Sequence, residues 1–252
     1  MEIKNPGFIT SSVSATSARN GPGTVSKVSH TLSECKEEDL ALIKKALSVE
    51  RFESHRKTAS ESDSVVFQRY QWNAALCEHF YAPLRILEVV LRNAFNEAIA
   101  GKAKPPDPNW LTTVPQWLRE NERNDIVAAH DFLKERKRPI TQARVVQEMS
   151  FGFWTSLLNS KYETLFHAIG AQVFPGMPRS ARTRANASQR FEAIRALRNR
   201  IFHFRRIWNR QDLQRDYNEI LEAIEWVDVN ARRLLLPSDA VARFLVSLSE
   251  RP

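Results

Sequence analysis

The chain has 252 residues, of which 42% are hydrophobic and 26% charged, as in a globular protein of one large domain or two small ones. Only seven glycines occur and long stretches lack both glycine and proline, which argues against a fold of many turn-linked strands. The net charge of +8 suggests a polyanionic partner, nucleic acid or an anionic membrane surface, although on charge alone an ordinary basic protein is the simpler interpretation.

The chain shows none of the sequence signals of a membrane or secreted protein. No stretch of about 18 apolar residues occurs, so no membrane-spanning helix is predicted. Residues 1–30 contain no apolar run of signal-peptide length. The two cysteines, Cys35 and Cys77, form no CxxC pair, and we interpret both as reduced thiols. Together these features predict a cytoplasmic protein.

The predicted elements begin after a polar tail. Residues 1–31 are rich in Ser, Thr, Gly and Pro, which is typical of a disordered segment. Residues 32–252 form the predicted folded domain. Ser33 is placed to cap a first helix, and an apolar stripe at helical spacing continues from there to Phe52.

Two helices are predicted next, over 63–81 and 84–100. Pro83 separates them, because proline lacks an N–H and clashes with the preceding helical turn. One or two helices are predicted over 115–137, a short helix over 141–149, and a strongly apolar segment over 151–169 that leads to a loop at 170–179. Further helices are predicted at 184–208, 212–236 and, after Pro237, 238–249. No segment alternates as a strand does, so the predicted fold class is all-α, with 110–180 as a candidate middle helical subdomain.

Positive charge is concentrated in one predicted helix. The window from Arg182 to Arg210 contains nine arginines against a single acidic residue, Glu192, so it carries a charge equal to that of the whole chain. Arginine suits planar, two-pronged contact with phosphate. Aromatic residues are interleaved with the arginines, and we interpret most of them as core residues. The window is therefore a candidate nucleic-acid surface, with an amphipathic membrane helix as the less favoured alternative.

One heptapeptide of this window, Leu197 to His203, combines Arg, Asn and His. Asn199 and His203 are four residues apart and share a helix face with Arg195, while Arg198 lies beside them. Histidine can transfer a proton near neutral pH, and arginine can stabilise charge on a phosphoryl oxygen. Such a set needs no metal if the nucleophile is an RNA 2′-hydroxyl. Taken alone, this spacing is a weak signal, and a surface arginine with a core-capping histidine is the favoured interpretation.

Several blocks resemble a known family. Arg198-Asn-x-x-x-His203 resembles the RNase motif of the HEPN superfamily. The segments 47–52, 70–73, 83–93 and 150–158 resemble, in the same order, the blocks of Abi-like proteins, a branch of that superfamily. Together the blocks span roughly Leu47 to Trp208. The sequence is therefore similar to Abi-like HEPN proteins over most of the predicted folded domain.

The resemblance implies a HEPN-like helical bundle with additional helices that dimerises through the motif helix. It also implies metal-independent cleavage of RNA, without a cofactor, in a bacterial abortive-infection or toxin–antitoxin defence system. RNA is the expected partner, and an antitoxin, RNA or protein, is a further candidate. Arg198 and His203 are the implied catalytic pair, with Asn199 as their polar companion. The expected RNA-binding residues are Arg195, Arg200, Arg205 and Arg206.

A second patterned segment matches the family at Glu88, Arg92 and Asn93. Its simpler interpretation is an intrahelical pair between Glu88 and Arg92, four residues apart, that braces the core. Packing residues rather than ligands are predicted at Tyr70, Trp72 and Asn73.

Two other functions stay open at this point. One is a non-catalytic RNA-binding or regulatory module that uses the same basic helix, and the other is a dimer-forming interaction protein with an inert site. The chain has no Gly-rich phosphate loop, which disfavours a kinase or nucleotide hydrolase. Its six histidines show no HExxH or Cys/His spacing, so no metal site is predicted.

Overall fold

A computed structural model describes residues 37–102 and 105–238 of the chain. The described residues contain no strand, so the prediction of an all-α protein is confirmed for them. The α-helices are α1 (Glu37–Leu47), α2 (Val49–Glu53), α3 (Asp63–Lys102), α4 (Glu120–Glu135), α5 (Gln142–Glu148), α6 (Phe151–Ser156), α7 (Glu163–Val173), α8 (Arg184–Phe202) and α9 (Leu213–Val227). Two 3-10 helices cover Ser160–Tyr162 and Ala231–Ser238. The predicted tail, 1–31, the predicted cap Ser33, the thiol of Cys35 and the predicted last helix beyond Ser238 lie outside the described residues.

The core is built around α3, which contacts α1, α2, α6, α7, α8 and α9. One apolar cluster runs from Leu76 to Leu235 in sequence. The candidate middle subdomain, 110–180, contributes Trp110 and Trp154 to this same cluster. Among the described helices, none is long and apolar enough to cross a bilayer.

The helix α3 continues through Pro83, so the predicted break between two helices is wrong. Pro83 is buried, and its neighbours Phe80, Leu84 and Leu87 are at most 3% exposed. Burying each such side chain contributes about 1.5–3 kcal/mol, and together they outweigh the roughly 3 kcal/mol cost of proline inside a helix. The helix is continuous because its apolar face on both sides of Pro83 forms the centre of the core.

Several helix ends differ from the prediction. The helix α4 begins at 120 rather than 115, α7 extends into the predicted loop at 170–179, and α9 ends at Val227 rather than 236. The carboxylate of Asp228 accepts a hydrogen bond from Asn230 N at 2.8 Å, and this local bond competes with continued helix. Pro237 lies within a 3-10 helix instead of ending α9. The helix α5 begins and ends within the predicted 141–149, although the side chain of Thr141 makes no capping hydrogen bond.

An ionic cluster ties α1 and α2 to the start of α3. Lys44 pairs with Glu53 at 2.5 Å and with Asp63 at 3.2 Å, and Arg56 pairs with both carboxylates. Hydrogen bonds from Arg56 and Lys44 lower the pKa of Glu53 to about 2. The cluster holds the turn after α2. In that turn the backbone oxygen of Ser54 accepts a hydrogen bond from Arg206, which follows α8 in the chain.

Candidate functional site

The sequence of α8 gives it one buried face and one basic face. Thr183 caps the helix by accepting a hydrogen bond from Asn186 N at 3.2 Å. Residues spaced by three, four or seven positions are buried against the core: Ala187, Phe191, Ile194, Leu197 and Ile201. The arginines between them lie on the remaining surface of α8. Burial of the apolar face therefore leaves Arg198 at the surface, beside Glu88 of α3.

The helix α8 ends at Phe202, which corrects the predicted helix through 208. Phe204 N donates to Ile201 O at 3.0 Å, and Arg205 N donates to Arg200 O at 2.8 Å. These two bonds, with a φ of 54° at Phe204, form a Schellman motif. His203 is therefore the C-cap residue rather than an interior helical residue.

His203 is exposed at this helix end. Its backbone N donates to Asn199 O at 3.0 Å, as the four-residue spacing predicts. Within the described residues, its imidazole makes no hydrogen bond and no ion pair. Both ring nitrogens are thus free to meet a ligand that approaches from solvent.

Arg198 is positioned by two elements. Its Nη2 lies 3.5 Å from Glu88 Oε2 of α3, and both side chains are 25% exposed. Its guanidinium carbon lies 4.3 Å from the ring centroid of Phe202, one turn further along α8. The ring of Tyr81 packs edge-on against Phe202, with centroids 4.9 Å apart. The guanidinium is therefore held between an acidic and an aromatic side chain at the surface.

Of the second patterned segment, Glu88 contacts Arg198 of the motif, whereas Arg92 and Asn93 do not. Glu88 pairs with Arg198, 110 positions away, so the intrahelical pair expected with Arg92 is corrected. The Nε of Arg92 is buried without a hydrogen-bond partner in the described chain. Asn93 is exposed and lines a groove between α3, α7 and the end of α9, away from Arg198. Packing of α3 against α8, rather than spacing along α3, decides which residue Glu88 meets.

The expected RNA-binding arginines differ in whether their guanidinium groups are already bound within the protein. Arg195 pairs with Glu192 at 2.7 Å, and Arg200 donates to the backbone oxygen of Arg206 at 3.0 Å. Arg206 donates to the backbone oxygen of Ser54, in the turn after α2. Arg205 is exposed and makes no side-chain hydrogen bond within the described residues. Arg205 and Arg206 thus present most of the accessible positive charge beside His203.

The remaining arginines of the basic window brace the fold. Arg184 pairs with Glu163, Arg190 with Glu222, and Arg210 with Asp216. Arg182 donates to the backbone oxygens of Met177 and Pro175. Carboxylates from outside the window therefore balance much of its charge, and the uncompensated part lies at the C-terminal end of α8.

Asn73 anchors the segment that follows the motif. It is 5% exposed, and its Oδ1 accepts hydrogen bonds from Ile207 N at 2.7 Å and Trp208 N at 3.1 Å. The ring of Trp208 lies under Arg69, whose guanidinium carbon is 4.9 Å from the ring centroid. The prediction that Asn73 is a structural residue is confirmed.

Sequence reasoning missed His55, which lies under the same segment. Its side chain is 1% exposed, with Nδ1 3.1 Å from Arg51 O and its ring edge-on to Tyr70 at 5.1 Å. Burial lowers the pKa of His55, and the positive charges of Arg206 and Arg69 lower it further. The one available signal was its place just after the block at 47–52.

Comparison with models of known protein families, with curated proteins and with solved structures finds no match. Within 37–102 and 105–238, no group of three or more His, Cys, Asp or Glu side chains could hold a metal ion. The groups at the end of α8 that can act on a ligand are the imidazole of His203, the guanidinium of Arg198 and the arginines that follow.

Proposed function

We propose that this protein is a metal-independent endoribonuclease in which His203 transfers the proton and Arg198 stabilises the transition state. The observation that supports the proposal is an exposed imidazole at the end of α8, close in sequence to a guanidinium that Glu88 and Phe202 hold at the surface. The resemblance to Abi-like proteins adds the biological setting, abortive infection or a toxin–antitoxin system.

The proposed reaction breaks the RNA chain at a phosphodiester. His203 accepts the proton of a 2′-hydroxyl, whose oxygen attacks the adjacent phosphorus, and the bond to the 5′-oxygen breaks. That 5′-oxygen leaves with a proton, supplied by an imidazolium or by water. Arg198 stabilises the negative charge that develops on the phosphoryl oxygens. The products carry a 2′,3′-cyclic phosphate and a 5′-hydroxyl.

A homodimer belongs to this proposal, because the Abi-like resemblance implies that two motif helices meet about a two-fold axis. One imidazole can act as the base for the attack while the imidazolium of the second copy protonates the leaving oxygen. Each chain offers one Arg198–His203 pair, so a dimer assembles two of each at one place.

One observation favours the second candidate, an RNA-binding module without catalysis. The ion pair with Glu88 offsets part of the charge of Arg198, which a phosphate would otherwise meet in full. A binding module needs the exposed arginines and not the imidazole. His203 therefore discriminates between the two functions.

The test is incubation of purified protein with RNA in EDTA, with His203→Ala beside the wild type. Loss of the imidazole is expected to slow cleavage by roughly 10²- to 10⁴-fold, while RNA affinity is retained. His167→Ala is the matched control, because His167 is exposed on α7, far along the chain from the motif. An RNA with a 2′-deoxy sugar at the cut site is expected to resist cleavage.

Several results would contradict the proposal. Equal cleavage by His203→Ala and wild type removes His203 from the site. Cutting of the deoxy substrate, or a requirement for Mg²⁺, excludes attack by the 2′-hydroxyl without metal. RNA binding by the wild type without any cleavage leaves the binding module as the function.

A further inference from the structure

Phe204 has an unusual conformation and an unusual environment. It occupies the C′ position after α8 with a φ of 54°, where glycine is the favoured residue because a Cβ is strained in the left-handed region. Its side chain is nevertheless 65% exposed. Among the described residues, its ring contacts no other aromatic ring. Nothing in the described fold therefore explains why a phenyl ring stands at this strained position.

The backbone on both sides of Phe204 is held by hydrogen bonds. The two backbone bonds of the Schellman motif close the turn on its N-terminal side. On its C-terminal side, Asn73 holds the backbone of Ile207 and Trp208, and Arg206 is bonded to the backbone of Ser54. The ring is thus presented to solvent from a fixed backbone, which lowers the entropy cost of ligand binding.

The charge around the ring selects one kind of ligand. Phe204 follows His203 and precedes Arg205 and Arg206, both exposed. Aromatic side chains beside cationic ones are the arrangement with which proteins bind single-stranded nucleic acid, the ring stacking on a base and the cations contacting phosphates.

We propose that Phe204 is a base-stacking platform, on which one nucleobase of a single-stranded RNA rests while Arg205 and Arg206 contact the flanking phosphates. The inference rests on the proposed function for its choice of RNA, since the platform adjoins His203. It assigns Phe204 a positioning role: the stacked base sets which phosphodiester lies beside the imidazole.

The experiment compares Phe204→Gly with wild type in binding and in stability. The probe is a labelled single-stranded RNA of about twelve nucleotides that carries 2′-deoxy sugars at the positions of cleavage, so that it is not cut. The comparison strand is an abasic chain of the same length and charge. Wild type is expected to prefer the base-containing chain by roughly 5- to 150-fold, the scale of stacking one base. Phe204→Gly is expected to bind the two chains equally.

Phe204→Gly is expected to lose the base preference without losing thermal stability. Glycine relieves the left-handed strain, so the melting temperature of Phe204→Gly stays the same or rises. Two further variants isolate the stacking face. Phe204→Trp is expected to keep the preference for the base-containing chain, and Phe204→Leu, which is apolar without a π-face, is expected to lose most of it.

Two kinds of result overturn the platform, and a third overturns the nuclease alone. A fall in melting temperature of Phe204→Gly, or a change in its mass by light scattering, means that the ring packs within the protein or against a second copy. Cleavage by wild type with no base preference, or an unchanged preference in Phe204→Gly, overturns the platform while the nuclease stands. Base preference through Phe204 without cleavage leaves the platform and removes the nuclease.

Discussion

Asn73 is the residue on which the geometry after α8 depends most directly. Its Oδ1 is the acceptor for two backbone donors, at Ile207 and Trp208, in a buried setting. Replacing it with alanine leaves both N–H groups without a partner. We expect Asn73→Ala to lower the free energy of unfolding by about 2–4 kcal/mol, measured by urea denaturation.

The control for Asn73 lies on the same helix. Asn93 is exposed, and Asn93→Ala is expected to change the free energy of unfolding by less than about 0.5 kcal/mol. Equal effects of the two substitutions would contradict the role given to Asn73. A selective loss at Asn73 would show that the turn carrying Phe204 to Trp208 is held by α3.

Part of the candidate site could be predicted at the residue scale. The Arg198–Asn199–His203 spacing is local, and so it was visible in the sequence. The partner of Glu88 was not, because Arg198 lies 110 positions away and the contact arises from packing of α3 against α8. The place of His203 at a helix end was also hidden, because the left-handed residue that ends α8 is a phenylalanine instead of the usual glycine or asparagine.

At the element scale, the turn after α7 is fitted closely to the end of α9. Gly176 N donates to Trp226 O at 3.0 Å, and a Cβ on Gly176 would lie 2.0 Å from Glu225 O, a backbone atom. Gly176→Ala must therefore displace one element from the other. We expect it to lower the free energy of unfolding by at least about 1–3 kcal/mol, as for overpacked cores.

At Gly101 the same substitution, glycine to alanine, is expected to change stability in the opposite direction. It lies in the last turn of α3, and a Cβ there would meet nothing within 4 Å. Gly101→Ala is expected to raise stability by about 0.5–1 kcal/mol, because alanine favours the helix. Thermal unfolding of both variants checks the pair. A Gly176→Ala protein as stable as wild type would mean that the turn after α7 does not approach α9 so closely.

The elements themselves were more predictable from the sequence than their ends. Apolar spacing indicated helical structure over most of α3, α4, α8 and α9, because burial of one face is what makes these helices stable. The break at Pro83 failed for the same reason: the local cost of proline is visible in sequence, whereas the burial of Phe80, Leu84 and Leu87 that offsets it depends on the other helices. Local side-chain bonds such as that of Asp228 shortened α9 in a way that periodicity does not reveal.

Across the whole molecule, the positive charge divides into a structural part and an accessible part. Arg184, Arg190 and Arg210 are paired with carboxylates of other segments. The arginines beside His203 are the exposed ones, Arg205 and Arg206. A polyanion should therefore be attracted more strongly to the end of α8 than to the rest of the basic window, although the arginines are spread through the whole window in the sequence.

That division predicts how RNA binding responds to salt. Each phosphate contact on a single strand contributes about −0.7 to the slope of log affinity against log salt concentration. We expect the double variant Arg205→Gln, Arg206→Gln to flatten the slope by up to about 1.4. Arg184→Gln is the matched control, because it removes the same charge from a pair with Glu163 and is expected to lower stability while leaving the slope unchanged. Fluorescence anisotropy over a series of salt concentrations checks both. An affinity that does not depend on salt, or an equal flattening by Arg184→Gln, would remove the end of α8 as the RNA surface.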